Sequence, residues 1–369
     1  MRALVVSDTH FGAWTGDDLL RHRFALDALA PALDEIDELI VLGDLYDFLF
    51  STVENAFDSA EGFFDLVERK MAGKRLVFSA GNHDHHIVVR QLRTVVEYQV
   101  ATVDEAECET ELEGHRGFFK RYLDRRLPDV ESEIVYPAYR FGDALCFHGH
   151  YLDAHMTGSL PDRLLNRGTW GIAGGRTSRP TISDYEATIV PLTELLFTVA
   201  QLPRGTEAQK AAQAELERVA HIAALMRAPV RELRRIARAI VRRSRASDAD
   251  PTRTVDPSAH PSDALCAYGK VVRNLGWDRQ TKTMVFAHTH QPLDDCSDDT
   301  HDGLRFWNTG SWIYEPPSGD PEAWQRYRER AWPGSVVLLD TNRPEPELVR
   351  LLEGYAAKGP GWRPAAESL

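Results

Sequence analysis

The 369 residues carry 43 basic against 56 acidic side chains, and a formal charge of −13 argues against a chain-wide affinity for nucleic acid or anionic membrane. Hydrophobic content of 43% and charged content of 27% fit a soluble globular protein, long enough to bury one large core or two ordinary ones. No run reaches the apolar length of a bilayer span and no secretory signal opens the chain, so a cytoplasmic protein with reduced Cys108, Cys146, Cys266 and Cys296 is expected.

Strand and helix alternate from the start. A strand over 3–7 leads to a helical pattern at 17–34, a strand over 39–43 to a helix at 54–72, and then comes a strand over 75–80. That βαβαβ order predicts a mainly parallel sheet. Residues 97–133 are acidic and poorly periodic, and read as surface structure with a short helix at 115–126. The stretch Tyr139–Phe147 holds a Gly142-Asp143 turn between two apolar pieces, a hairpin signal. Helical patterns follow at 184–202 and 206–246, broken by Pro203-Arg204-Gly205, with a Ser/Asp/Pro-rich connector at 247–263. Strand character returns at 283–287, 304–308, 335–340 and 346–352. The Gly/Pro/Ala-rich tail at 354–369 is expected to be flexible.

Polar signatures stand directly behind these strands. Asp8-Thr9-His10 follows Ala3–Val6, Gly43-Asp44 follows Leu39–Leu42, and Gly81-Asn82-His83-Asp84 follows Leu76–Phe78. His148-Gly149-His150 follows Leu145–Phe147, and Ala287-His288-Thr289-His290 follows Met284–Phe286. In an open α/β sheet, groups at the carboxyl ends of strands collect along one edge, where ligands bind. A lone Asp or His at a strand end is a cap or a turn former, but this whole series delivers imidazoles, carboxylates and an amide to one place. Such a mixed donor set suits a first-row transition metal better than calcium. In Asp8-x-His10 and His288-x-His290 the side chains at i and i+2 would share one side of an extended strand. Metal-type residues on both sides of 151–280 predict one α/β core, 1–150 with 281–353, interrupted by a helical insertion.

These motifs resemble the calcineurin-like metallophosphoesterases, whose pattern runs D-x-H, G-D-x-x-D, G-N-H-[DE], H and G-H-x-H. Here it reads Asp8-Thr9-His10, Gly43-Asp44-Leu45-Tyr46-Asp47, Gly81-Asn82-His83-Asp84, His148 and Ala287-His288-Thr289-His290, with Ala287 as the one departure. The resemblance covers about 1–150 and 281–345 and implies a four-layer α/β/β/α sandwich of two mixed sheets. It further implies two divalent ions, manganese first and iron or zinc next. Asp8, His10 and His290 would hold one ion, Asn82, His148 and His288 the other, and Asp44 would bridge them. A phosphate mono- or diester would be hydrolysed by in-line attack of a metal-bridging hydroxide. His83 looks like the family histidine that stabilises the transition state or protonates the leaving oxygen, and Asp84 is expected to fix its tautomer. His85, His86, His150 and His155 read as groups behind the ligands or as incidental, and Asp47 and Asp153 as partners that orient ligating imidazoles.

The Gly43–Phe48 and His148–His150 segments look most like the branch that includes UDP-diacylglucosamine hydrolases. Those enzymes carry arginine where this chain has His83, so their substrate is not carried over. The expected partner is a phosphorylated small molecule or lipid. Eight arginines between Arg227 and Arg245, on a helical pattern with one apolar face, offer a surface for anionic membrane or phosphates. The plainer reading is a solvated helix paired with the acidic remainder of the chain. Two rivals stand beside the phosphoesterase. A non-catalytic scaffold would have lost ligands, and none is missing; a nuclease of the family is disfavoured by the net charge and is separable by salt-dependent DNA binding.

Overall fold

The computed structural model describes residues 1–13, 17–88, 110–111, 118–155, 180–201, 261–295, 303–317, 321–343, 345–359 and 362–364. The arginine-rich pattern at 227–245 and most of the acidic stretch at 97–113 lie outside them. The chain divides into two compact units, Met1–His150 with Trp277–Leu369, and Tyr151–Gly276.

The first unit begins with β1 (Arg2–Val6), α1 (Arg23–Asp34), β2 (Glu38–Leu42), α2 (Val53–Met71) and β3 (Arg75–Ser79). β1, β2 and β3 are parallel neighbours, as the alternation predicts. α2 shows why such helices form where they do. Thr52 caps it by accepting the Asn55 amide at 3.2 Å, Glu54 sits in the first turn, and Arg69 and Lys70 sit in the last. Ala56, Ala60, Phe63, Phe64, Val67 and Met71 recur at helical spacing and are buried. Then come β4 (Thr110–Glu111), α3 (Phe118–Arg126), β5 (Glu131–Tyr136), β6 (Ala138–Phe141) and β7 (Ala144–Phe147). β6 and β7 form the expected hairpin. β5 was not expected; it begins at the end of the stretch read as acidic surface and pairs in parallel with β3.

The second unit contains α4 (Ile182–Ala200), close to the expected 184–202, and α5 (Pro261–Asn274), which occupies part of the expected connector. Thr181 and Asp184 cap α4 reciprocally, each backbone amide donating to the other's side chain, at 2.7 and 3.3 Å. The Tyr185 hydroxyl of α4 accepts from Asn274 of α5 at 2.9 Å and lies 2.7 Å from His155 Nε2.

The first unit resumes with β8 (Thr283–Phe286), β9 (Arg305–Asn308), α6 (Pro321–Arg330), β10 (Ser335–Asp340), β11 (Glu347–Arg350) and α7 (Glu353–Ala356). Within the tail expected to be flexible, Trp362 is buried, 4.8 Å from the Tyr314 ring and 5.5 Å from Trp332. A large apolar ring gains too much from burial to be left in solvent.

Two mixed sheets result, ordered β11-β10-β1-β2-β3-β5-β4 and β6-β7-β8-β9. One core fills the space between them. The large sheet supplies Ala3, Val5, Ile40, Leu42, Val77, Val135, Val337 and Leu339, and the small one Phe141, Ala144, Cys146, Val285 and Trp307. These are alternate residues of each strand, so the period of two points one row inward. The other row of the large sheet, including Leu39, Val41, Leu76 and Phe78, is buried on the far face, where Phe119 of α3 meets Phe78 at 4.8 Å. Among the described residues no helix is long and apolar enough to cross a membrane.

Candidate metal centre

The carboxyl ends of β1, β2, β3, β7 and β8 converge, and the signatures behind them meet at one buried site within the first unit. Asp8, His10, Asp44, Asn82, His83, Asp84, His148, His288 and His290 are all at most 7% exposed. Their side chains fall into overlapping donor groups: Asp8 with His10 and His290, Asp44 with His148 and His288, and His10 with Asp44 and His83. In the first, His10 Nε2 and His290 Nε2 are 3.2 Å apart, and Asp8 Oδ1 lies 3.3 Å from His290 Nε2. In the second, His148 Nε2 lies 3.2 Å from Asp44 Oδ2 and 3.3 Å from Asn82 Oδ1. Asp44 Oδ2 also lies 3.9 Å from His10 Nε2, so this one carboxylate faces both groups.

The backbone reaches this arrangement by a route the spacing did not suggest. β1 ends at Val6 and β8 at Phe286, so neither D-x-H nor H-x-H lies on an extended strand. Asp8, His10, Asp44, His288 and His290 instead adopt left-handed backbone, with φ of 47, 48, 52, 68 and 57°. Each such residue costs about 1–3 kcal/mol, and strain of this kind collects at functional sites. The loops are held down by hydrogen bonds: Asp8 N to Gly43 O at 3.1 Å, His10 N to Asp44 O at 2.9 Å and Ala287 N to His148 O at 2.9 Å. Ala287, in place of the family's glycine, is not one of the left-handed residues.

Two glycines are required by crowding. A Cβ on Gly43, whose φ is 82°, would stand 2.5 Å from His148 Nδ1, and one on Gly81 would fall onto Asp44 Oδ1. At these two positions the backbone therefore approaches the His148 ring and the Asp44 carboxylate more closely than any side chain permits.

Electrostatics follows from burial. Burial works to raise Asp44, yet the neighbouring His148 and His83 hold its carboxyl well below the usual range. Burial works against charge on His148, but Asp44 lifts it to about 9. Burial and the nearby His83 push His10 down to about 3. Asp8 Oδ2 accepts from Ser7 Oγ at 2.6 Å and from the His288 amide at 3.2 Å, whereas Asp8 Oδ1 makes no aligned hydrogen bond among the described residues. A buried carboxylate oxygen left so is costly without a cation. The His148 ring donates from Nδ1 to Leu42 O at 2.8 Å, which leaves Nε2 of the neutral ring as a lone pair. Oxygen and imidazole donors, buried, convergent and with an unmatched carboxylate oxygen, fit divalent metal ions.

One expected contact is made by a different residue. His83 Nδ1 donates to Asp47 Oδ1 at 2.9 Å, so Asp47 orients the ring. The Asp84 carboxylate takes backbone amides, from Gly81 at 2.7 Å, Leu45 at 2.8 Å and Asp44 at 3.3 Å, and thereby ties two ligand loops together. Burial and the Asp44 charge push Asp84 up to about 7. Glu315, which the motifs did not indicate, brings Oε2 to 3.8 Å from His290 Nδ1. Asn308 donates to Ala287 O and to Thr289 Oγ1, both at 3.0 Å, and so braces the His288–His290 loop. A polar residue at the end of a strand was the only signal for it.

No curated protein matches the chain. The family model of the calcineurin-like phosphoesterases matches residues 1–186, half of the sequence, and takes in every candidate except His288 and His290. The fold carries those two histidines back to the same buried site, and the chain belongs to the calcineurin-like phosphoesterase family, whose members are metal-dependent phosphoesterases.

Proposed function

We propose that the protein is a phosphoric ester hydrolase with a dinuclear centre of two divalent transition-metal ions, acting on a phosphorylated small molecule or lipid. The observation that carries this reading is the pair of donor groups meeting at Asp44. Asp8, His10 and His290 would hold one ion and Asn82, His148 and His288 the other, with Asp44 between them. When bound, such a pair lowers the pKa of a shared water and clamps the phosphoryl oxygens of an in-line displacement.

The chain's own side chains supply the rest. The His83 ring stands 4.5 Å from that of His10, centroid to centroid, with Nδ1 committed to Asp47. Nε2 is then the atom that can hand a proton to the departing alkoxide. Asp47 keeps the ring in that orientation and offsets the positive charge it carries as an acid. Asp84 keeps the Gly43–Tyr46 and Gly81 loops at a fixed separation, which holds Asp44 against the other donors.

The test is a panel of phosphate mono-, di- and pyrophosphate esters, each assayed with Mn²⁺, Fe²⁺, Zn²⁺ and Mg²⁺. At least one class should be turned over, fastest with manganese, and chelation should abolish the rate. No turnover of any ester with any metal would refute the proposal.

A further inference from the structure

A second buried network touches both loops of the Asn82–His148 group. His85 follows Asn82 by three positions, and His150 follows His148 by two. Their Nε2 atoms lie 3.0 and 3.1 Å from the same oxygen, the hydroxyl of Tyr136 at the end of β5. All three side chains are at most 1% exposed. Tyr136 stacks over His150 with 20° between the planes and meets His85 nearly edge-on, at 72°. A phenol has one proton to give, so Tyr136 can donate to one imidazole at most and accepts from at least one of the two. The link spans two loops that β3 and β7 deliver from different sheets.

We propose that Tyr136 is a positioning residue for the second ion, its hydroxyl fixing the Asn82 loop against the His148 loop. This rests on reading Asn82, His148 and His288 as the donors of one ion. The span that must be held is short: Asn82 Oδ1 and His148 Nε2 are 3.3 Å apart. Asp8 and His10 hang from the loop after β1, and His290 from the loop after β8. Loosening the link therefore acts on one ion and not on the other. Groups bonded directly to a ligand are typically worth about 10–100-fold in metal affinity; Tyr136 acts through His85 and His150, so a loss at the lower end is expected.

Calorimetric titration of the full chain with Mn²⁺ tests it, on the wild type, Tyr136→Phe and Asn82→Ala. The wild type should take up two ions. Tyr136→Phe should weaken, by about tenfold, the step that Asn82→Ala removes, and leave the other unchanged. Should Tyr136→Phe fail to fold, His85→Asn cuts the link at its other end and should give the same loss at one site. Failure of both variants to fold would mean that the link supports the fold at large, and the proposal would be wrong. Two ions in the wild type, with both steps unmoved or both weakened alike in the variant, would overturn this inference alone. Fewer than two ions in the wild type would overturn the paired centre as well.

Discussion

Replacing Asp47 by asparagine tests how His83 works. The contact removed is a buried, charge-assisted hydrogen bond of 2.9 Å, between side chains only 4% and 5% exposed. Hydrogen bonds to charged groups contribute about 1.5–3 kcal/mol, and an amide in place of the carboxylate keeps the shape while losing the charge. If Asp47 acts by stabilising the protonated ring, that energy is missing when the proton is transferred, a rate loss of about 10–150-fold. The loss must stay within the about 10²–10⁴-fold expected for deleting the acid itself in His83→Ala. Both substitutions should leave metal content intact, and both should hurt esters with poor leaving groups most. The assay is a double-mutant cycle on kcat for a good and a poor leaving group, with metal counted in each variant. In the His83→Ala background, Asp47→Asn should cost almost nothing further. A full additional loss there would show that Asp47 acts elsewhere, and its role in orienting His83 would fall.

Other perturbations separate other parts of the site. Asp44→Asn should lower metal content and rate together, because one carboxylate faces both donor groups; intact metal binding in that variant would remove its bridging role. Glu315→Gln should weaken the ion among Asp8, His10 and His290 only modestly, by less than about tenfold in a Mn²⁺ titration, since its carboxylate stands 3.8 Å from His290 Nδ1 and acts through charge and not through a hydrogen bond. Asp18 tests electrostatics away from the metals. Burial, opposed by the Gly12 amide and Arg21, pushes its carboxyl up to about 6. A folded pKa above the unfolded value gives stability that is present below about pH 4 and lost as pH rises through 6. Asp18→Asn should therefore match the wild type in Tm at pH 4 and exceed it at pH 8, by about 3 kcal/mol in stability; a lower Tm at pH 8 would contradict this.

Much of the site was legible because the chemistry stands directly behind apolar runs. Leu39–Leu42 and Met284–Phe286 announce buried strands, and the polar residues after them have to sit at a sheet edge. The features that escaped the sequence did so for physical reasons. β5 starts Glu131-Ser132-Glu133, and only Ile134, Val135 and Tyr136 betray a strand, so its partnership with β3 overrode a polar sequence. α5 opens with Pro261-Ser262-Asp263, which resembles a connector, although proline at the first helical position is also a start signal. Only Trp324 is buried in α6, too little to give an apolar face. Asp47 was legible as a partner for an imidazole, but its pairing with His83, 36 positions away, was not, because adjacency in the chain favours Asp84. The left-handed backbone at five of the proposed ligands leaves no trace in side-chain pattern at all.

The proposed centre requires two metal positions that share Asp44. Crystals grown with Mn²⁺ and measured at the manganese absorption edge report it most directly. Two anomalous peaks about 3.5–4 Å apart are expected, one among Asp8, His10 and His290, the other among Asn82, His148 and His288, with Asp44 reaching both. A single peak, or peaks away from these side chains, would rule out the paired centre.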